Sequence, residues 1–189
     1  MSGGPRREAR SDALRKGSSL AAAEGVIAGE RTRLLPVGEE HLPLLAGWFA
    51  DPAFVRHWGG QPLSREEVAR KYTGRRRPAV ESFLVTVDTV PIGYVQYVPA
   101  GPGQGGIDLV LVPQAQGSGL GPDAARALVR HLHTVLGWSR VTVDPEASNS
   151  RAVRAWTRAG FRPVGRQGSR LLMECVPVTA SARRGDPQA

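Results

Sequence analysis

One cysteine, Cys175, stands in 189 residues. An internal disulfide is therefore excluded, and a lone thiol says nothing about zinc. No stretch approaches the ~18 consecutive apolar residues of a membrane span. Residues 1–24 are rich in Arg, Ser and Ala, and no apolar segment of signal-peptide type follows their charges. A cytoplasmic protein with no membrane partner is expected. Lysine is scarce, 2 against 23 arginines, which we read as base composition rather than chemistry. Acids are also short, and a net charge of +8 would suit a nucleic-acid partner. Its distribution argues against one. Residues 1–33 hold 7 basic and 4 acidic groups, 34–161 hold 13 and 11, and 162–189 hold 5 and 2, so the middle is nearly balanced. Its one basic run, Arg75-Arg76-Arg77, reads as a solvated helix end.

Glycine is not scarce, and one cluster of it organises the chain. Gln116-Gly117-Ser118-Gly119-Leu120-Gly121 follows the apolar run Leu109-Val110-Leu111-Val112-Pro113 and precedes Pro122-Asp123-Ala124. The β-branched run reads as a strand stopped by Pro113. Pro122 suits a first helical turn, where its missing N–H costs nothing. The helix is expected to carry Leu128, Val129, Leu132, Val135 and Leu136 on one face and to end at Gly137. Glycines at a helix N-terminus let backbone N–H groups approach a ligand, and the dipole there favours phosphate. Two phosphate motifs fail on inspection. A P-loop needs Lys and Ser/Thr after its last glycine, where Pro122 and Asp123 stand, and glycines at 117, 119 and 121 do not spell G-x-G-x-x-G.

The remaining pattern fits one domain, with the order β-α-α-β-β-β-α-β-α-β-β in an α/β (α+β, mixed-sheet) fold. We expect strands at 31–37, 81–87, 91–98, 107–112, 140–143, 161–165 and 171–176. Helices are expected at 38–50, from a Ser64/Glu67 capping box to about Tyr72, after the glycine loop, and at 149–159. Gly101–Gly106 reads as a loop and 54–60 as a short turn or helix end. Residues 1–24 show no apolar periodicity and are expected to be disordered or extended, 25–178 to form the domain, and 179–189 to be a tail.

The motif Q-x-x-G-x-G at Gln116–Gly121 resembles the pyrophosphate loop of the GNAT family of acyl-CoA-dependent N-acyltransferases. A second segment, Asn149-Ser150-Arg151-Ala152-Val153-Arg154-Ala155-Trp156-Thr157-Arg158-Ala159-Gly160-Phe161, is similar to the N-x-x-A-x-x-x-Y-x-x-x-G-F signature of that family. The resemblance covers residues 31–176 and implies the GNAT fold with acetyl-CoA as co-substrate and no metal. It implies that Leu109, Val110, Leu111, Gln116, Gly117, Ser118, Gly119, Leu120, Gly121, Asn149 and Trp156 meet the coenzyme. Asn149 also reads as a helix N-cap. Trp156 stands where the family carries a Tyr that often protonates the leaving thiolate, and an indole N–H is no acid near neutral pH.

Three further segments, His57-Trp58-Gly59-Gly60, Pro91-Ile92-Gly93-Tyr94-Val95-Gln96 and Gly106-Ile107-Asp108, resemble aminoglycoside 6′-N-acetyltransferases within the family. That likeness implies that Trp58 and Gln96 line the acceptor site, that Asp108 is base or ammonium anchor, and that Asp144 also binds the cationic sugar. The chemistry agrees: an ammonium must lose a proton before attacking a thioester, and a carboxylate can hold the cation and take the proton. Asp108 and Asp144 also read as turn-capping residues. Where these enzymes carry a longer acidic, Trp-rich loop, Ala100–Gly106 has neither charge nor aromatic ring. The expected activity is acetyl transfer from acetyl-CoA to a small-molecule amine, an aminoglycoside first, by a monomer or homodimer. Acylation of a protein or siderophore-type amine, and a non-catalytic coenzyme A-binding module, stay open at this level. Cys175 reads as a packing residue, not a nucleophile.

Overall fold

Alternating apolar residues in successive segments assemble a single sheet in the computed structural model, which describes residues 25–177. The expected N-terminal segment 1–24 and tail 179–189 lie outside the described residues. The strands are β1 (Ile27–Ala28), β2 (Arg33–Pro36), β3 (Glu81–Val87), β4 (Val90–Pro99), β5 (Gln104–Leu111), β6 (Arg140–Val143), β7 (Arg162–Gln167) and β8 (Arg170–Cys175). The helices are α1 (Leu42–Ala50), α2 (Pro52–Val55), α3 (Arg65–Tyr72), α4 (Leu120–Thr134) and α5 (Ser150–Arg158). The sheet order is β1-β2-β3-β4-β5-β6-β8-β7. Neighbours are antiparallel except β5 and β6, which run parallel.

Each face of the sheet buries its own core. Leu128 and Leu132 of α4 and Trp156 of α5 pack with Val85, Val95, Ile107, Leu111 and Phe161. On the opposite face Leu45 and Phe49 of α1, Phe54 of α2 and Val68 of α3 pack with Leu84 and Tyr94. The side-chain alternation of a strand sorts β5 between them: Ile107, Leu109 and Leu111 belong to the first core and Val110 to the second, so Asp108 shares the second face.

Helix starts follow the sequence. Ser64 Oγ accepts from Glu67 N–H at 3.2 Å while Glu67 Oε2 accepts from Ser64 N–H at 3.0 Å, a complete capping box. Asn149 caps α5, its Oδ1 accepting from Ala152 N–H at 3.1 Å.

Some boundaries differ from expectation. The short β1 precedes the first expected strand and pairs with β2. Residues 39–41 form a 3₁₀ turn before α1, whose first turn contains Pro43, while 54–60 is the expected helix end, closing the short α2 and turning after Val55. β5 starts at Gln104 rather than Ile107. Gly105 is a strand residue that lies against the Val98 carbonyl and the Trp138 ring, leaving no space for a Cβ. The expected loop thus shrinks to a tight turn at Gly101–Gly103. α4 stops at Thr134, leaving Val135 67% and Leu136 42% exposed instead of extending the apolar face. Gly137, at φ +68°, turns the chain so that Trp138 is buried instead.

The feature that positions the site is a split in the sheet. β5 pairs with β6 only through Gln104–Gly106 and Arg140–Thr142. Beyond that, β5 continues to Leu111 held by β4 alone, while β6 ends at Val143 and leaves through Asp144-Pro145.

Candidate active site

The split opens into a cleft of about 660 Å³. Its walls include Leu109, Val110 and Leu111 of β5, Gln116, Gly117, Gly119 and Gly121 of the loop, and Asn149 with Ala152 of α5. Val112 N–H bonds Ile92 O across to β4 at 2.9 Å, so strand alternation turns the Leu111 and Leu109 N–H groups toward the open edge. The Leu111 carbonyl on that edge accepts from Gln116 Nε2 at 2.8 Å, which ties the loop to the strand. Gly117 and Gly119 both have φ +84°, a conformation that exposes the loop backbone and that a β-carbon would strain. Arg31 donates to Ser118 O at 2.9 Å and anchors the loop from outside.

Charge in this cleft comes from residues that the sequence reading passed over. Arg56 on one wall and Arg151, Arg154 and Arg158 on the other line it. The signal was available: positions 151, 154 and 158 lie at helical spacing on one face of α5. The run that did attract notice is used elsewhere. Arg75 pairs with Glu39 at 2.8 Å, and Arg77 pairs with Glu81 at 2.9 Å and donates to Val37 O at 2.9 Å.

Three expected coenzyme residues face other surroundings. The Ser118 hydroxyl turns back to donate to Ala115 O at 2.8 Å, and Leu120 is buried in the core. Trp156 packs edge-on to Phe161 at 5.2 Å and lines a smaller adjoining hollow with Leu109, Gly121 and Ala155.

The expected acceptor residues gather next to the cleft on the second face of the sheet. Gln96, opposite Asp108 in the β4–β5 register, donates from Nε2 to Asp108 Oδ2 at 3.0 Å. Gln96 Oε1 lies 3.1 Å from the Tyr94 hydroxyl, which is 2.7 Å from Ser82 Oγ. An amide oxygen can only accept, so Tyr94 donates to Gln96 and accepts from Ser82. The chain fixes the amide orientation and presents its N–H to the carboxylate. Trp58 joins Phe49, Tyr72 and Tyr94 in an aromatic cluster, and its Nε1 donates to Tyr72 Oη at 3.0 Å. Burial pushes the Asp108 carboxyl above the usual range and the nearby Asp144 charge adds to this, while the Gln96 hydrogen bond and Arg170 oppose it.

Asp144 stands across the split. Asp108 and Asp144 each lie two residues past the last β5–β6 pair, Gly106 and Thr142. Asp144 is exposed and already engaged: Arg170 Nη1 lies 3.2 Å from its Oδ2. Neither the sequence spacing nor the motif exposed this partner, because Arg170 is brought in by β8. Another missed residue is Asp123. Buried at the start of α4, it accepts from Glu30, Arg31 and Thr32 N–H and from Thr32 Oγ1 at 2.7–3.1 Å. Burial would raise its carboxyl, but these donors outweigh it and hold the carboxyl below its usual value. Among the described residues no group of three or more His, Cys, Asp or Glu could hold a metal ion, and no helix is long and apolar enough to cross a membrane.

The family profile of the acetyltransferase (GNAT) domain matches residues 31–162. An aminoglycoside N(6′)-acetyltransferase type 1 of Klebsiella pneumoniae is 32% identical over 144 residues, which cover 67% of this chain and 72% of that protein. A kanamycin resistance protein of Rhizobium radiobacter is 42% identical over 65 residues, 34% of this chain and 60% of that protein. The solved structure of AAC(6′)-Ib in complex with paromomycin and acetyl-CoA is similar at TM-score 0.71 and 26% identity, covering 78% of this chain and 94% of that one.

Proposed function

Because the chain belongs to the GNAT family of acetyltransferases, we propose that it transfers the acetyl group of acetyl-CoA to the 6′-amino group of an aminoglycoside. The observation that carries the reading is a half-buried carboxylate, Asp108, where the split sheet meets a cleft lined by a glycine loop and four arginines. Relatives with aminoglycoside acetyltransferase names, one of them solved with acetyl-CoA and an aminoglycoside, support it. The catalytic unit is residues 25–178, and the protein works in the cytoplasm, where acetyl-CoA is made.

The donor set fits coenzyme A. The backbone of Gly117, Gly119 and Gly121 at the start of α4 suits a pyrophosphate. Arg56, Arg151, Arg154 and Arg158 supply cations for phosphate charge. Asn149, Leu109 and Leu111 flank the path of the pantetheine arm. Acetyl-CoA supplies the electrophile and the leaving group: the neutral amine nitrogen bonds to the thioester carbon as the carbon–sulfur bond breaks, the thiolate departs, and the second proton on nitrogen passes to the thiolate or solvent to leave the amide.

The chain's own groups do the rest. An outward N–H of Leu109 or Leu111 polarises the carbonyl oxygen. Asp108 receives the acceptor ammonium and takes its proton, and Gln96, fixed by Tyr94 and Ser82, orients that carboxylate. A carboxyl raised toward neutrality is better matched to an amine than an ordinary Asp. Trp58 offers its partly exposed ring beside the acceptor, and Asp144 supplies a second anionic contact. The test is thiol release from acetyl-CoA with kanamycin, with NMR assignment of the acetylated nitrogen. Release no faster with aminoglycosides than without, from protein that binds coenzyme A, overturns the proposal.

A further inference from the structure

The mouth of the split holds a cation of its own. Arg170 Nη1 sits 3.2 Å from Asp144 Oδ2 and donates to the Asp144 carbonyl at 3.1 Å, and its Nε lies 3.7 Å from Glu146 Oε1. The backbone keeps it there. Leu171 N–H bonds Pro145 O at 2.9 Å and Ala147 N–H bonds Ser169 O at 2.8 Å, pinning the start of β8 to the 144–147 segment. The side chains remain about half exposed, 49% for Arg170 and 52% for Asp144. Such a pair is weak and open to exchange with a dissolved cation. Both partners also act on the charge of Asp108, so the pair lies within electrostatic reach of that carboxyl.

We infer that Arg170 is a specificity-determining residue: its guanidinium occupies the Asp144–Glu146 carboxylate pair, and any second ammonium of the acceptor must displace it. The inference rests on the aminoglycoside reading and refines its substrate class. An acceptor that presents one amine to Asp108 leaves the pair intact. An acceptor with further ammonium groups reaching Asp144 must break the Arg170 contacts or suffer repulsion from its charge. The site therefore favours acceptors with few ammonium groups over densely cationic ones.

The experiment compares kanamycin with a monoamino sugar, methyl 6-amino-6-deoxyglucoside, in wild type and Arg170→Gln. The KM ratio of kanamycin to the monoamino sugar should fall by roughly 2- to 5-fold in the variant, the range of a displaced exposed ion pair. In an Asp144→Asn/Glu146→Gln background, Arg170→Gln should no longer change the ratio. A ratio that is unchanged or rises, or an effect that survives in that background, overturns the inference while kanamycin turnover keeps the aminoglycoside reading. Wild-type protein that acetylates neither sugar overturns both.

Discussion

Asp108→Asn separates chemistry from folding. The substitution keeps the size of the side chain and an oxygen able to accept from Gln96 Nε2, now at 3.0 Å from the carboxylate. It removes the charge and the proton acceptor. Loss of a positioned acid–base group costs about 10²–10⁴-fold, so kcat/KM for the amine should fall by at least ~10²-fold while the coenzyme-dependent thermal shift stays. Stability should move the other way. Burial raises the Asp108 carboxyl above its unfolded value, so the unfolded chain gives up this proton at lower pH than the folded protein. Stability is then lost as pH climbs from the ordinary carboxylate value of ~3.9 through the raised folded value. Asn carries no such penalty, and at neutral pH the variant should melt at or above the wild type, as expected where function is held at the expense of stability. The pH profile gives a further readout. Wild-type kcat/KM should rise through a carboxyl titration displaced upward, and that limb should vanish in the variant. Steady-state thiol release across pH, with calorimetric melting, measures all three. Activity retained within about 3-fold would place the base elsewhere, and a fall in melting temperature alongside activity would make Asp108 a structural cap.

Gly119→Val should abolish the thermal shift by acetyl-CoA, because a β-branched residue is strained at φ +84°. At ~100-fold excess over Kd the wild-type shift should be about 5–10 °C, and an equal shift in the variant would refute the loop assignment. Asp123→Ala strands buried donors of Glu30, Arg31 and Thr32 and should cost about 3–5 kcal/mol, or roughly 6–20 °C in melting. Since the Asp123 carboxyl is held below its unfolded value, its stabilisation is present above ~pH 4 and lost as pH falls through the folded value; a wild-type-minus-variant difference that does not shrink on acidification would refute this.

What could be read from sequence was what local chemistry decides. The Ser64/Glu67 box, the Asn149 cap and the Pro113 strand stop act within a few residues, and the structure carries each of them. Glycines were harder, because the residue serves two ends. Gly117 and Gly119 supply positive φ, whereas Gly105 supplies space beside Trp138, and only the folded partner distinguishes them. The α4 end was misjudged for a similar reason: Val135 and Leu136 continue the helical spacing, but no sheet lies beneath them. Partners across long sequence gaps were out of reach. Asp123 with the 30–32 segment and Asp144 with Arg170 meet only through the sheet order.

Trp156 shows how the site can lack one proton donor and still be complete. The indole is buried against Phe161, 5.2 Å between ring centres, and has no proton to give near neutral pH. The first proton taken from the acceptor and the proton given to the thiolate differ in difficulty. A thiol has an ordinary pKa of ~8.5, so its thiolate is a competent leaving group at neutral pH and can be protonated by solvent afterwards. The acceptor amine, by analogy with a lysine side chain at ~10.4, is held as an ammonium and cannot attack until its proton is removed. A general acid at position 156 would assist the easier transfer, and the base on β5 assists the harder one. The burial of Asp108 and the Ser82–Tyr94–Gln96 chain that orients it therefore sit where loss of a single group should cost the most.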